Sequence, residues 1–177
     1  MKATGIIRRI DELGRIVIPK EIRKNLRIRV GESLEIFVDS DENIVLKKFS
    51  VMNKITDLSQ ELTDAIYSFV KHNVIITDNN TVLAASGKIK KEYLNQPISV
   101  SVEESINRRE SMFQNHFKEI EIIEGKEITC SYVNKSILAD GEAVGMIIIF
   151  STDQKMLDVD MTIAEIVSSF MTKYLEE

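Results

Sequence analysis

Short apolar runs separated by polar turns fill the first fifty residues and predict a β-rich unit. Ile16–Ile18 is β-branched and suits a strand, whereas Pro19 fits the first turn of a helix. The chain is therefore expected to change from strand to helix at Pro19. The whole pattern predicts strands at 5–10, 15–18, 33–38 and 43–48, with one helix at 20–26.

A helical period replaces this pattern after residue 50. Apolar side chains recur at intervals of three and four from Ile55 to Val70, which predicts an amphipathic connecting helix over 53–72. The following segments predict a hairpin at 74–78 and 81–86, a short helix at 90–94, a polar helix at 102–118, and strands at 127–133 and 142–150. The strand at 142–150 is apolar on both faces, so we expect it at the centre of its sheet.

The chain closes with a second amphipathic helix, whose apolar face carries Val159, Ile163, Ile166, Val167, Phe170, Met171 and Tyr174. Two helices that come before and after an antiparallel sheet in the chain form a helix-on-sheet sandwich with it. Each helical stripe has two apolar flanks, so part is expected to pack on the sheet and part on a partner chain. The fold class predicted is α+β, with a β-rich domain at 1–50 and a second domain at 51–177.

The β-rich domain is small for independent folding. About fifty residues without a disulfide or metal bury too little apolar surface to be stable alone. Interleaving the hairpins of two copies would supply the missing core, so we expect a dimer through residues 1–50.

Charge is distributed unevenly along the chain. Residues 1–30 hold nine lysines and arginines against three acids, a local charge of +6, which leaves −11 for the rest of a chain with a total of −5. Such asymmetry indicates that the N-terminal end meets a polyanion. An ordinary solvated basic face is the alternative.

Other features argue against an enzyme, a metal protein or a membrane protein. The longest uncharged apolar run, Ala143–Phe150, is too short to span a bilayer. Cys130 is the single cysteine, interpreted as a free buried thiol in a reducing cytoplasm, and His72 and His116 lack metal-ligand spacing. No glycine-rich phosphate loop is present. We therefore expect no catalytic residues, no metal site and no cofactor.

Residues 2–24, with Leu34–Val38 and Leu46–Lys48, resemble the swapped-hairpin DNA-binding domain of the AbrB transition-state regulators. The resemblance covers essentially all of residues 1–50. It implies two chains that interlock their β-hairpins into a dimer, and a basic face that grips double-stranded DNA.

Carried over by position, this resemblance implies DNA contacts from Arg8, Arg15, Arg23 and Lys24, with Arg9 as a helper. Lys24 stands where close relatives often carry arginine. Lysine keeps the charge but lacks the bidentate fork of arginine, which argues against base reading at this position.

Residues 51–177 resemble GAF domains, the small-molecule sensor modules, in the order of their elements and in the end strand at 140–150. The signature of cyclic-nucleotide-binding members is absent after Asn134 and Lys135, and no ligand-binding residue is named. Two interpretations of the pocket stay open: a sensor for a small-molecule effector, or a remnant used for assembly.

Together the two parts resemble a family of sporulation regulators in spore-forming bacteria. This implies a cytoplasmic, nucleoid-associated transcription factor of the forespore that activates and represses genes. It also implies a tetramer joined through the first and last helices of the C-terminal domains.

An antitoxin is the alternative function. In that case the AbrB-like arm would only autoregulate, and the C-terminal part would mask a partner protein. Antitoxin tails are usually short and partly disordered, whereas the apolar periodicity of residues 51–177 indicates a folded domain, so the regulator is favoured.

Overall fold

The computed structural model of the protein describes residues 5–176. The chain divides into two compact units, the first ending at Phe49 and the second beginning at Ser50. Lys2–Thr4, at the start of the run that resembles AbrB regulators, lie outside the described residues.

The first unit contains a short helix, α1 (Lys20–Asn25), and a hairpin of strands β1 (Leu34–Val38) and β2 (Ile44–Lys48). The strands pair antiparallel from Leu34 opposite Lys48 to Val38 opposite Ile44. The Asp39 carboxylate closes their turn by accepting hydrogen bonds from the backbone N–H of Asp41 (3.0 Å) and Asn43 (2.9 Å). The predicted helix and these two strands are thus confirmed, each within one residue.

The predicted strands at 5–10 and 15–18 are wrong for the single chain: neither segment joins a ladder within residues 5–176. Only the turn between them forms, with the Asp11 N–H donating to the Arg15 carbonyl at 3.0 Å and the Gly14 N–H donating to the Asp11 carbonyl at 2.9 Å. A β-branched run becomes a strand only where a neighbouring backbone pairs with it. These two segments have no such neighbour among the described residues of one copy.

No side chain between residues 5 and 49 is buried. Large apolar side chains that a folded domain would cover are instead exposed, among them Ile7, Ile10, Leu13, Ile16, Val17, Val30, Ile36, Val38 and Ile44. Hydrophobic burial is the main driving force of folding, and one copy of this unit lacks it. The unit is therefore incomplete as a single copy.

The second unit is built on a five-stranded antiparallel sheet in the order β4-β3-β7-β6-β5. Its strands are β3 (Asn73–Asp78), β4 (Val82–Ser86), β5 (Ser111–Ile123), β6 (Lys126–Ala139) and β7 (Glu142–Ser151). The β3–β4 hairpin and the central place of β7 are confirmed. At Gly145 of β7 an added Cβ would lie 2.1 Å from the Thr77 carbonyl oxygen, so only glycine permits this close approach of β7 to β3.

Helices cover both faces of this sheet. A 3₁₀ turn (Val51–Ile55) leads into α2 (Thr56–Val70), and α2 packs with the C-terminal helix α5 (Asp158–Leu175) on one face, around Val74, Ile76, Val133 and Ile147. The short helices α3 (Lys90–Tyr93) and α4 (Val100–Asn107) cover the other face, around Ile75, Tyr93, Ile106 and Phe150. The predicted sandwich and its connecting helix are confirmed.

The polar helix predicted at 102–118 is wrong beyond residue 107. The Ser99 hydroxyl caps α4 by accepting a hydrogen bond from the Val102 N–H, and the left-handed backbone of Arg109 (φ 54°) ends the helical path. The chain then enters β5, an edge strand that pairs only with β6 apart from one isolated bridge. Most of β5 is solvent-exposed, so it lacks the apolar alternation that identifies half-buried strands. Strand β6 also continues six residues past its predicted end at Val133.

Candidate nucleic-acid interface

The five cations predicted to contact DNA lie on three consecutive segments of the first unit. Arg8 and Arg9 precede the turn at 11–15, Arg15 follows it, and Arg23 and Lys24 lie in the last turn of α1. We call these five residues the basic cluster. Pro19, with φ −58°, begins α1, so this helix starts where the sequence predicts.

The end of α1 fixes the backbone beneath Arg23 and Lys24. The Ile28 N–H donates to the Arg23 carbonyl at 2.7 Å and the Arg27 N–H donates to the Lys24 carbonyl at 3.1 Å. Arg27 takes the left-handed conformation (φ 51°) that this pair of bonds requires. Cations in the last helical turn also face the negative end of the helix dipole, which stabilises them there.

Most of the basic cluster is open to solvent. Arg8, Arg9, Arg15 and Lys24 are exposed, whereas Arg23 is half-buried. Within residues 5–176 the side chains of Arg9, Arg23 and Lys24 form no hydrogen bond or ion pair, and the Nε of Arg23 is also shielded from solvent. These cations keep their hydrogen-bonding capacity for an external acceptor.

Arg15 differs, because its guanidinium is held by a carboxylate. The Arg15 Nε donates to Asp11 Oδ2 at 2.8 Å, and the backbone N–H groups of Arg15 (2.8 Å) and Leu13 (3.0 Å) donate to Asp11 Oδ1. Hydrogen bonds from Arg15, first of all from its backbone, lower the pKa of the Asp11 carboxyl below its usual value. Asp11 therefore stays charged at neutral pH.

Sequence reasoning missed Asp11, because it searched for cations only. The signal was present in the Asp-Glu-Leu-Gly turn, since aspartate side chains commonly accept hydrogen bonds from backbone N–H groups two to four residues onward.

An apolar groove of about 520 Å³ lies in the same unit. Its lining comes from the two segments that form no strand, from α1 and the residues on either side of it, and from β2: Ile6, Ile7, Arg8, Ile16, Val17, Ile18, Pro19, Ile22, Leu26, Ile28 and Leu46. One of the basic cluster, Arg8, is part of this lining. A groove with so apolar a lining is suited to receive apolar side chains.

A second cavity, of about 410 Å³, lies in the second unit between α4 and strands β5, β6 and β7. Charged groups of both signs line it, including Glu104 of α4, Arg108 just after α4, and Lys118 and Glu119 of β5, while Ile148 contributes apolar surface. Arg108 also pairs with Glu104, at 3.1 Å between Nη2 and Oε2. No residue of this cavity was predicted from the sequence.

The side chains considered for catalysis lie apart from one another. Cys130 is buried, and burial raises the pKa of its thiol to about 12. His72 is buried at the end of α2, with its Nε2 at 3.8 Å from Oδ1 of Asp160. Over residues 5–176, no group of three or more His, Cys, Asp or Glu could hold a metal ion. The helices in this range are also too short or too polar to cross a membrane.

Comparison with known proteins gives a separate family match for each of the two units. Residues 54–176 match the family model of the stage V sporulation protein T C-terminal, transcription factor. Residues 7–51 match the model of antidote-toxin recognition MazE, bacterial antitoxin.

Three relatives illustrate the similarity. Stage V sporulation protein T of Bacillus subtilis (strain 168) is 43% identical, and the match covers 100% of both chains. The transition state regulatory protein AbrB of the same organism is 50% identical over 64 residues, which cover 36% of this chain and 65% of AbrB. A solved GAF domain, from Acinetobacter phosphoenolpyruvate-protein phosphotransferase, has a TM-score of 0.51 at 12% identity, covering 73% of this chain and 84% of that domain.

The last comparison shows the fold of the second unit alone, because the identity is low. The AbrB match confirms the resemblance of the N-terminal residues, and the GAF match confirms that of the sheet and its helices. The full-length identity and the family model agree on one conclusion. The chain belongs to the stage V sporulation protein T family and is a transcription regulator.

Proposed function

We propose that this regulator binds double-stranded DNA through the basic cluster of two interlocked copies and acts as both activator and repressor of forespore genes. The observation that carries the proposal is a set of five cations on three consecutive segments, four of them exposed and three of them without a partner among the described residues. In this proposal, residues 1–50 bind DNA and residues 51–177 assemble the protein. It works in the cytoplasm of the forespore, at the nucleoid, and catalyses no reaction.

Three features of the first unit support interlocking. None of its described side chains is buried, the segments at 5–10 and 15–18 lack a pairing partner, and an apolar groove runs along those same segments. A second copy that inserts its own two segments would supply both backbone partners and apolar side chains. Two-fold symmetry then gives the dimer two copies of the basic cluster.

Arg15→Ala is expected to lower DNA affinity at least about 100-fold, because a hydrogen bond to a charged group contributes roughly 1.5–3 kcal/mol and the dimer loses two such contacts. A salt titration of binding to mixed genomic fragments measures this. Log K should fall by about 0.9 per log unit of salt for each phosphate contacted, so the slope should also become shallower in the variant.

Arg29→Ala is the matched control, since it removes the same charge from the same unit outside the basic cluster. Equal losses for Arg15→Ala and Arg29→Ala would show that the arm is only a generic charged surface. The proposed site would then be rejected.

A tetramer is proposed through α5. Its predicted apolar face divides in two: Val167 and Met171 are buried on the sheet, while Val159, Ile166, Phe170 and Tyr174 are exposed. We call these four exposed residues the α5 stripe. Phe69 of α2 is exposed as well. Apolar residues at this spacing on a helix suit packing against the helices of a second copy.

The cavity under α4 is proposed to receive a small-molecule effector with both positive and negative groups, since its lining carries both signs. Amino acids supply such groups. A ligand at 100 times its Kd stabilises the folded state by about 2.7 kcal/mol, which raises the melting temperature by several degrees. If none of the twenty amino acids at millimolar concentration shifts the melting temperature, this effector class is excluded.

The antitoxin alternative draws support from the family match at residues 7–51 alone. The second unit argues against it, because residues 50–176 form a folded sheet with two hydrophobic clusters rather than a short disordered tail. The regulator remains the better explanation of the whole chain.

A further inference from the structure

We propose that Asp11 is a positioning residue for DNA recognition: it holds the guanidinium of Arg15 so that its two terminal nitrogens project together toward the DNA. The inference rests on the proposed function. It concerns an acidic side chain within a basic surface, where its repulsion of phosphates alone would predict weaker DNA binding.

The two carboxylate oxygens of Asp11 accept hydrogen bonds from different groups. Oδ1 accepts the backbone N–H groups of Leu13 and Arg15, so the turn fixes where the carboxylate lies. Oδ2 accepts the Nε–H of Arg15 at 2.8 Å. The position of the guanidinium is therefore set by the backbone of the turn through one intermediate side chain.

This contact leaves the two terminal nitrogens of Arg15 available to donate hydrogen bonds to DNA. Within residues 5–176, neither Nη1 nor Nη2 of Arg15 forms a hydrogen bond, and the side chain is 71% exposed. Two parallel N–H donors on a rigid plane match O6 and N7 of guanine in the major groove, or two oxygens of one phosphate. Because arginine otherwise loses rotamer freedom on binding, a guanidinium oriented in advance binds more tightly.

Electrostatics and positioning predict opposite results for Asp11→Asn. The amide oxygen can still accept the two backbone N–H groups at Oδ1, whereas the amide nitrogen at Oδ2 cannot accept from Arg15 Nε. If Asp11 only repels phosphates, loss of its charge should strengthen DNA binding. If Asp11 positions Arg15, the same change should weaken binding by about tenfold. The released Arg15 side chain in each copy would then lose its rotamer freedom when DNA binds, and this entropy loss lowers the affinity.

Glu12→Gln is the matched control. Glu12 lies in the same turn and carries the same charge, but its carboxylate accepts no hydrogen bond within the described part of the chain. The DNA used is the duplex that the wild-type protein selects from a random-sequence pool, and affinity is measured for the wild type, Asp11→Asn, Glu12→Gln, Arg15→Ala and the double variant Asp11→Asn with Arg15→Ala.

The expected result is a loss for Asp11→Asn, no loss for Glu12→Gln, and no additional loss for the double variant beyond that of Arg15→Ala. A turn that was merely disrupted would weaken the double variant further. If Arg15→Ala weakens binding but Asp11→Asn behaves like Glu12→Gln, the positioning role is overturned and the proposed function stands. If Arg15→Ala binds like the wild type, both are overturned.

Discussion

Val17→Asp is expected to abolish the dimer proposed through residues 1–50, unfold the first unit and eliminate DNA binding. In a single copy Val17 is 71% exposed and lines the apolar groove, so an isolated chain should tolerate the change within roughly 0.5 kcal/mol. In the proposed interlocked dimer the same position would be covered by the second copy. Two valines then lose about 1.5–3 kcal/mol of burial each, and two carboxylates must be desolvated. The dimer should be weakened by about 1,000-fold or more.

Val30→Asp serves as its control, because Val30 is 90% exposed in the same unit and does not line the groove. For a fragment of residues 1–50, sedimentation equilibrium gives the oligomeric state and circular dichroism the β-structure, free of any pairing through α5. A Val17→Asp fragment that stays dimeric, together with a full-length variant that keeps its DNA affinity, would refute the interlocked arrangement.

Phe170→Glu is expected to divide the proposed tetramer into dimers that still bind DNA. Phe170 lies at the centre of the α5 stripe, one turn from Ile166 and in ring contact with Tyr174 at 6.1 Å between centroids. A two-fold interface contains Phe170 from both copies, and each buried phenylalanine contributes about 1.5–3 kcal/mol. With the cost of burying the new carboxylates, the association should weaken by about 1,000-fold.

Ser169→Glu places the same side chain one position earlier, on an exposed residue outside the stripe. Analytical ultracentrifugation should find dimers for Phe170→Glu and tetramers for Ser169→Glu. Should Phe170→Glu remain tetrameric, assembly must use a different surface, while the proposed DNA site would be unaffected.

The sequence pattern predicts elements well where the chain itself supplies their partners. The switch at Pro19, the hairpin before Lys48 and the central strand β7 all follow from local propensity and apolar periodicity. Strand β5 was missed, because an exposed edge strand satisfies no burial pattern. The segments at 5–10 and 15–18 were misassigned for a related reason: their apolar residues reflect a partner that is absent from one copy.

Within the candidate site, the sequence likewise predicts which residues carry charge but not which atoms contact one another. Charge asymmetry indicates only that the N-terminal end is basic, and the AbrB resemblance selects the five residues of the basic cluster. The tie between Asp11 Oδ2 and Arg15 Nε depends on how the turn folds, so spacing alone did not reveal it. The cavity under α4 combines residues from four elements, which brings together positions far apart in the chain.

The lack of a core in the first unit has a consequence for when the regulator becomes active. The arm is synthesised before the rest of the chain, yet its residues 5–49 contain no buried side chain with which to fold alone. The second unit has two hydrophobic clusters of its own. In the proposed assembly through α5, each arm meets another at a high local concentration. We therefore expect operator occupancy to rise more steeply than the amount of protein, so that a modest increase in synthesis acts as a threshold.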